Sequence, residues 1–301
     1  MAPADVVAEL GVSHGGPPAV SRPVVAPVVA PVVDARWLAG RDDVVLADVR
    51  WYLDGRSGRE AYDAGHLPGA VFVDLDRWLT GPGGPTEGRH PLPDPTAFAH
   101  AMASLGIGEH DVVVAYDDVG GTVAARLVWL LRTIGHRAAL LDGGLRTWSG
   151  PLTTAVPTRP PAVFQPRPWP AEALASTAEV AALLGDGGAV VLDARAGERY
   201  RGEVEPVDTR AGHVPGARSL PAATNLAEDG TVLPVAQLRD RFEAVGLRSG
   251  TAVVSSCGSG VAACHTLLLL EHAGLGPGRL YPGSYSAWSS DPDRPVATGP
   301  G

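Results

Sequence analysis

The stretch "TAVVSSCGSGVAACHTLLLLEHAG", residues 251–274, has an earlier counterpart in "DVVVAYDDVGGTVAARLVWLLRTIG", residues 111–135. Each opens with a short β-branched run, passes through a glycine-bearing turn and continues into a long apolar stretch. A run that is apolar almost throughout reads as a strand buried on both faces. Strand and helix in alternation predict a mostly parallel sheet flanked by helices. Outward from this pair the likeness continues. "VVLADVRW" (44–51) returns as "AVVLDARA" (189–196), "AGHLPGAVFVDL" (64–75) as "AGHVPGARSLPA" (211–222), and "LLDGGLRTW" (140–148) as "LYPGSYSAW" (280–288). The blocks keep one order in both halves, so the chain consists of two copies of one α/β unit.

At 301 residues the chain has room for two cores. The repeat predicts a first domain over residues 31–150 and a second over 171–298. The Pro-rich stretch 151–170 is expected to be an extended linker. Residues 1–30, ending in a Pro-Val-Val stutter, are expected to form a flexible tail, because proline at every fourth position blocks both helix and central strand.

A net charge of −9, with scattered Lys and Arg, argues against a nucleic-acid partner. Two cysteines cannot form a secreted disulfide framework. No basic leader or membrane-length apolar stretch is present, and the expectation is a cytoplasmic protein with no membrane partner. The histidines and cysteines show no metal-ligand spacing and no nucleotide-binding fingerprint occurs, so no cofactor is expected.

Both cysteines fall in the opening stretch. Cys257 is the first residue past the buried strand, where ligands bind in open parallel sheets. Gly258-Ser259-Gly260-Val261-Ala262 follows it. The two glycines permit backbone angles that aim N–H groups at one point, and the start of the following helix adds to that field. The turn therefore reads as an anion cradle in which Cys257 supplies a thiolate. Cys264 is placed about two turns into the helix and reads as a core residue. In the first copy Asp117 stands where Cys257 does, so the first domain keeps the cradle without the reagent and becomes support and one wall of the site.

These residues resemble the tandem-domain rhodanese and 3-mercaptopyruvate sulfurtransferase family, over roughly residues 30–298. The resemblance rests on the paired Asp-x-Arg strand ends (Asp48 with Arg50, Asp193 with Arg195), the paired "GH-x-PGA" segments at His66 and His213, "RHPLPDP" at 89–95, the paired segments ending at Trp148 and Trp288, and the loop "CGSGVA". It implies two tandem rhodanese-like domains of which the second is catalytic, and sulfur transfer through a persulfide on Cys257. The donor is 3-mercaptopyruvate or thiosulfate, and the acceptor is a thiol such as thioredoxin's, or cyanide. The uncharged Gly258 and Ser259 match the mercaptopyruvate form of the loop, with Gly260, Val261 and Ala262 completing it. Ala262 departs from the family's usual Thr.

By the same resemblance Arg199 grips the donor's anionic end, with Arg201 as a second candidate, since Arg210 stands out of register for that role. His66 is implied to relay protons through Ser259 to Cys257, oriented by Glu60 or Asp63. His213 reads as a turn-capping residue, the duplicated Asp and Arg as structural ion pairs, and the two tryptophans as core anchors. A cysteine phosphatase is disfavoured, because the run from Cys257 to Cys264 holds no Arg. A Cys257–Cys264 redox device would need local unfolding, and a non-catalytic sulfur-carrier or binding module would not need Cys257, Ser259 and Arg199 together. A monomer is expected, since two facing domains can close one site.

Overall fold

The computed structural model describes residues 29–186 and 188–300. Most of the expected tail, residues 1–28, lies outside them. The first half holds a five-stranded sheet of β1 (Val32–Val33), β2 (Val44–Asp48), β3 (Val71–Phe72), β4 (Val112–Tyr116) and β5 (Ala138–Leu141), in the order β1-β5-β4-β2-β3. Every pairing is parallel. The second half repeats it with β6 (Ala189–Asp193), β7 (Arg218–Ser219), β8 (Ala252–Ser256) and β9 (Arg279–Leu280), in the order β7-β6-β8-β9 and again parallel. Leu174 bridges Leu280 in parallel at the place that β1 holds beside β5.

The unalternating runs take the positions they predict. All five residues of β4 are buried, as are the last four of β8. The ends of β2 and β6 each carry a buried ion pair, Arg50 Nη2 to Asp48 Oδ2 at 2.8 Å and Arg195 Nη2 to Asp193 Oδ2 at 2.7 Å. The same arginines donate to the carbonyls of Gly65 and Gly212, which ties each "GH-x-PGA" segment to its sheet.

The two halves meet through the helices that follow their equivalent turns, Ala125–Thr133 and Ala262–His272. One apolar cluster runs across that seam, from Phe98, Leu127 and Leu130 to Leu267 and Leu270. Residues 151–170 contain no helix or strand beyond a bridge from Thr153 to His66. They lie along the first half, burying Phe164, while Trp169 Nε1 donates to Pro93 O at 2.8 Å. Among the described residues no helix is long and apolar enough to cross a membrane.

Candidate active site

Cys257 stands at the carboxyl end of β8, 4% exposed, on the floor of a cleft of about 410 Å³. The backbone after it curls back, so that the Gly260 N–H donates to Cys257 Sγ at 3.1 Å. Gly260 must be glycine here: its φ is +81° and an added Cβ would lie 2.7 Å from Pro282 O. The turn following β9 buttresses the loop from outside. Ser284 Oγ accepts the Cys257 N–H at 3.1 Å, and the Tyr285 and Ser286 amides donate to Cys257 O and Gly258 O. Ser284 itself sits at φ 48°, an unfavourable conformation for a residue with a Cβ, held because it delivers that hydroxyl.

Curling through Val261 delays the helix, which begins at Ala262. Cys264 therefore lies in the first turn, not two turns in. It is fully buried, its thiol donates to Gly260 O at 3.3 Å, and burial pushes it up to about 12.

The first copy shows what the cradle does when a carboxylate is built into it. Asp117 Oδ1 accepts from the amides of Val119 and Gly121, and Oδ2 from those of Val123 and Ala124, all at 2.7–2.9 Å. Burial pushes this carboxyl above the usual value against the pull of those four donors. The loop is filled by its own side chain.

Ser259 Oγ meets His90 Nδ1 at 2.7 Å, and His90 Nε2 lies 3.3 Å from Asp76 Oδ1. Asp76 is held in turn by Trp51 Nε1 at 2.9 Å. A carboxylate at Nε2 fixes the proton there, leaving Nδ1 as the acceptor for the serine hydroxyl. Burial, assisted by the charges of Arg126 and Arg89, lowers His90 to about 4. It is neutral at physiological pH, with Nδ1 facing the serine hydroxyl.

This corrects the expectation for His66. Its ring stacks on Tyr62 at 3.8 Å, with Nδ1 2.8 Å from Tyr62 O and Nε2 3.2 Å from Ala155 O. His213 repeats the arrangement on Tyr200. Both histidines lock a helix end to the segment that follows it. The proposed orienters are elsewhere too: Asp63 pairs with Arg59 on the surface, and Glu60 lies exposed in the first turn of its helix.

Arg199 lines the cleft with Gly258, Val261 and Ala262, and is braced by Glu205 Oε1 at 2.7 Å and Asp208 Oδ2 at 2.8 Å. Burial works to raise Glu205, but the Asp208 and Val207 amides and Arg199 outweigh it and hold its carboxyl below the usual value. Arg201 does not join the cleft. It is exposed and paired with Glu203, because it lies two residues on along a single-turn helix and so leaves on the opposite side. Arg210 is spent on the carbonyls of Trp288, Ser289, Asp291 and Arg294 at the end of the helix Ser284–Ser290.

A profile of the Rhodanese-like domain matches residues 34–151 and again 176–291. The chain belongs to the rhodanese family. It is 45% identical over 281 residues to a Pseudomonas aeruginosa protein named a probable 3-mercaptopyruvate sulfurtransferase, covering 89% of this chain and 98% of that one. A Mycobacterium tuberculosis protein, provisionally named thiosulfate sulfurtransferase SseB, is 41% identical over 280 residues, covering 89% and 97%. Among solved structures, the 3-mercaptopyruvate sulfurtransferase SseA of Escherichia coli superposes with a TM-score of 0.75 at 30% identity, covering 86% of this chain and all of that one.

Four residues of this rhodanese site, Asp76, His90, Arg89 and Arg126, carried no role in the sequence reading, although His90 and Arg89 lie in the quoted block 89–95. Arg89 enters the cleft from the first half. Arg126, fully buried, donates to His90 O at 2.9 Å, Pro91 O at 3.2 Å and Gly260 O at 3.0 Å, so that one guanidinium pins the relay segment to the nucleophile loop. For Arg126 the available signal was an arginine directly before the apolar run Leu127–Leu131.

Proposed function

We propose that this protein moves a sulfane sulfur from 3-mercaptopyruvate to a thiol or cyanide acceptor through a persulfide on Cys257. The observation that carries the reading is that Cys257 and Ser259 line one cleft, the sulfur under the Gly260 amide and the serine backed by His90 and Asp76. The Cys257 thiolate attacks the donor's sulfur; an S–S bond forms and the C–S bond breaks. The electron pair of that bond leaves on carbon as the pyruvate enolate, which takes up the proton the donor thiol carried. Ser259 and His90 are placed to pass it. An acceptor thiolate or cyanide then attacks the outer sulfur and releases Cys257 as thiolate, a two-step covalent cycle with ping-pong kinetics.

The charge balance of the cleft supports a monoanionic donor over thiosulfate. Arg56, Arg89, Arg195 and Arg199 line it, and each carries a carboxylate partner: Asp54, Asp208, Asp193 with Glu205, and Glu205 with Asp208. A dianion would meet little uncompensated positive charge. Thiosulfate as main donor is the second reading, favoured by the number of arginines present.

Steady-state turnover of the two donors, with Cys257→Ser as control, tests this. The expected result is a preference for 3-mercaptopyruvate of about tenfold or more in kcat/KM, with loss of turnover in Cys257→Ser and a mass gain of one sulfur atom on donor-treated wild type. A thiosulfate preference overturns the donor assignment and leaves the persulfide in place. No turnover with either, while sulfur still loads onto Cys257, would make the protein a sulfur carrier.

A further inference from the structure

The nucleophile's neighbour, Gly258, lies beneath two guanidinium groups from different halves of the chain. A Cβ placed on Gly258 would be 2.8 Å from Arg89 Nη2 and 3.6 Å from Arg199 Nη1. Among the described residues neither of these two nitrogens has a hydrogen-bond partner. Arg89 spends Nη1 on Asp208 Oδ1, and Arg199 spends Nη2 on Glu205 and Asp208. Asp208, with its side chain 1% exposed, thus joins both guanidiniums and leaves one amino group of each without a partner near the loop. Arg89 lines the cleft of Cys257 as well as a second cavity of about 530 Å³, whereas Asp208 lines only the second.

The position of Arg89 is fixed by backbone as well as charge. Its amide donates to Ser286 Oγ at 3.1 Å, and the Ser286 amide donates to Gly258 O at 2.9 Å. Gly88 permits the approach, since at φ +85° an added Cβ would lie 2.5 Å from Gly283 O. The first half therefore delivers this guanidinium to the loop in a set register.

We propose that Arg89 and Arg199 form a two-pronged clamp for the donor's carboxylate, one prong from each domain, with Asp208 as the brace that joins them. This deepens the donor assignment above and rests on it. Two unpartnered amino groups converging on one point suit the two oxygens of a carboxylate. Arg89 is then a specificity residue contributed by the half that lacks the nucleophile, and Asp208 a positioning residue.

The test compares 3-mercaptopyruvate with a mercaptoketone that lacks the carboxylate, in wild type, Arg89→Gln, Arg89→Lys and Asp208→Asn. Arg89→Gln should raise KM for 3-mercaptopyruvate by about tenfold or more and change kcat/KM for the mercaptoketone little. Arg89→Lys should recover part of this, because one ammonium cannot serve the brace and the ligand together. Asp208→Asn should lose the same discrimination, and the Arg89→Gln/Asp208→Asn double variant should be no worse than the worse single one. If Arg89 only struts the two halves together, both donors lose equally, and the clamp is overturned. Pyruvate titrated calorimetrically into Cys257→Ser reads the clamp without turnover. Arg89→Gln in that background should weaken binding by a similar factor, and unchanged binding overturns the proposal even if wild type turns over no donor.

Discussion

Ser259 Oγ lies 2.7 Å from His90 Nδ1. The serine belongs to the loop that carries the nucleophile and the histidine to the other half of the chain, so the relay exists only when the two halves are docked. His90→Asn should lower kcat for sulfur transfer by about 100-fold. His66→Asn should leave turnover per folded molecule near wild type and instead cost about 1–3 kcal/mol of stability, from its buried contacts with Tyr62 and Ala155. Parallel kinetics and urea unfolding on the two variants separate the roles.

The acid side of the stability profile should carry a histidine signature. His90 and the fully buried His265 are both lowered by burial to about 4, against an ordinary value of 6.5. Between those values the unfolded chain binds more protons than the folded one, so stability rises with pH. The contribution is complete above about 6.5 and is lost as pH falls toward about 4. Unfolding free energies of wild type and His90→Asn measured from pH 7.5 to 5 should diverge, with the variant flatter. Parallel curves would mean that His90 is charged in the folded protein at pH 5.

Arg126→Met removes the donor shared by His90 O, Pro91 O and Gly260 O; Pro91 O keeps the Gly81 amide and Gly260 O the Cys264 thiol, while His90 O is left unpaired. A loss of about 3 kcal/mol is expected, together with a fall in kcat larger than any change in KM, because both the relay and the loop lose their common anchor. Thermal unfolding and steady-state kinetics on the same preparation check this. Retained kcat would show that the Ser259–His90 contact does not depend on the arginine.

Asp117→Asn keeps the shape of the first cradle and removes one acceptor oxygen, so two of the four amides that now bond to the carboxylate lose their partner. A loss of about 2 kcal/mol follows. Asp117→Cys should load no sulfur under conditions that load Cys257, since Asp118 and Val119 stand where Gly258 and Ser259 do, which puts a carboxylate next to the new sulfur and no hydroxyl to pass a proton. Donor-treated protein analysed by mass spectrometry in a Cys257→Ser background reads this directly.

The α/β class, the parallel sheets and the duplication were legible in the sequence because they depend on local pattern. A strand buried on both faces is apolar throughout, and "VVVAY" and "AVVSS" could do little else once two such runs recurred in register. Cys257 was legible for the same reason, as the residue between a buried strand and a glycine turn. Duplication also carried a warning that His66 illustrates. Its twin His213 repeats the tyrosine stacking and the Nδ1 contact in the same place, so the paired "GH-x-PGA" segments marked structure, as the paired Asp and Arg did. The residues to which the proposed chemistry is assigned have no twin at the corresponding site: Cys257, Ser259, His90 and Arg89.

What only the tertiary structure decided is which lone residues meet. His90 and Arg89 lie about 170 positions from the loop they serve, in a segment whose sequence has no periodicity to read. Their approach is set by the packing of the helix Ala125–Thr133 on the helix Ala262–His272, by Arg126 between them, and by a turn at Ser284 that no local propensity predicts. Pattern in a chain reports the burial of each element. The meeting of two loops across a domain seam depends on how whole apolar faces dock, and that follows from shape summed over both halves.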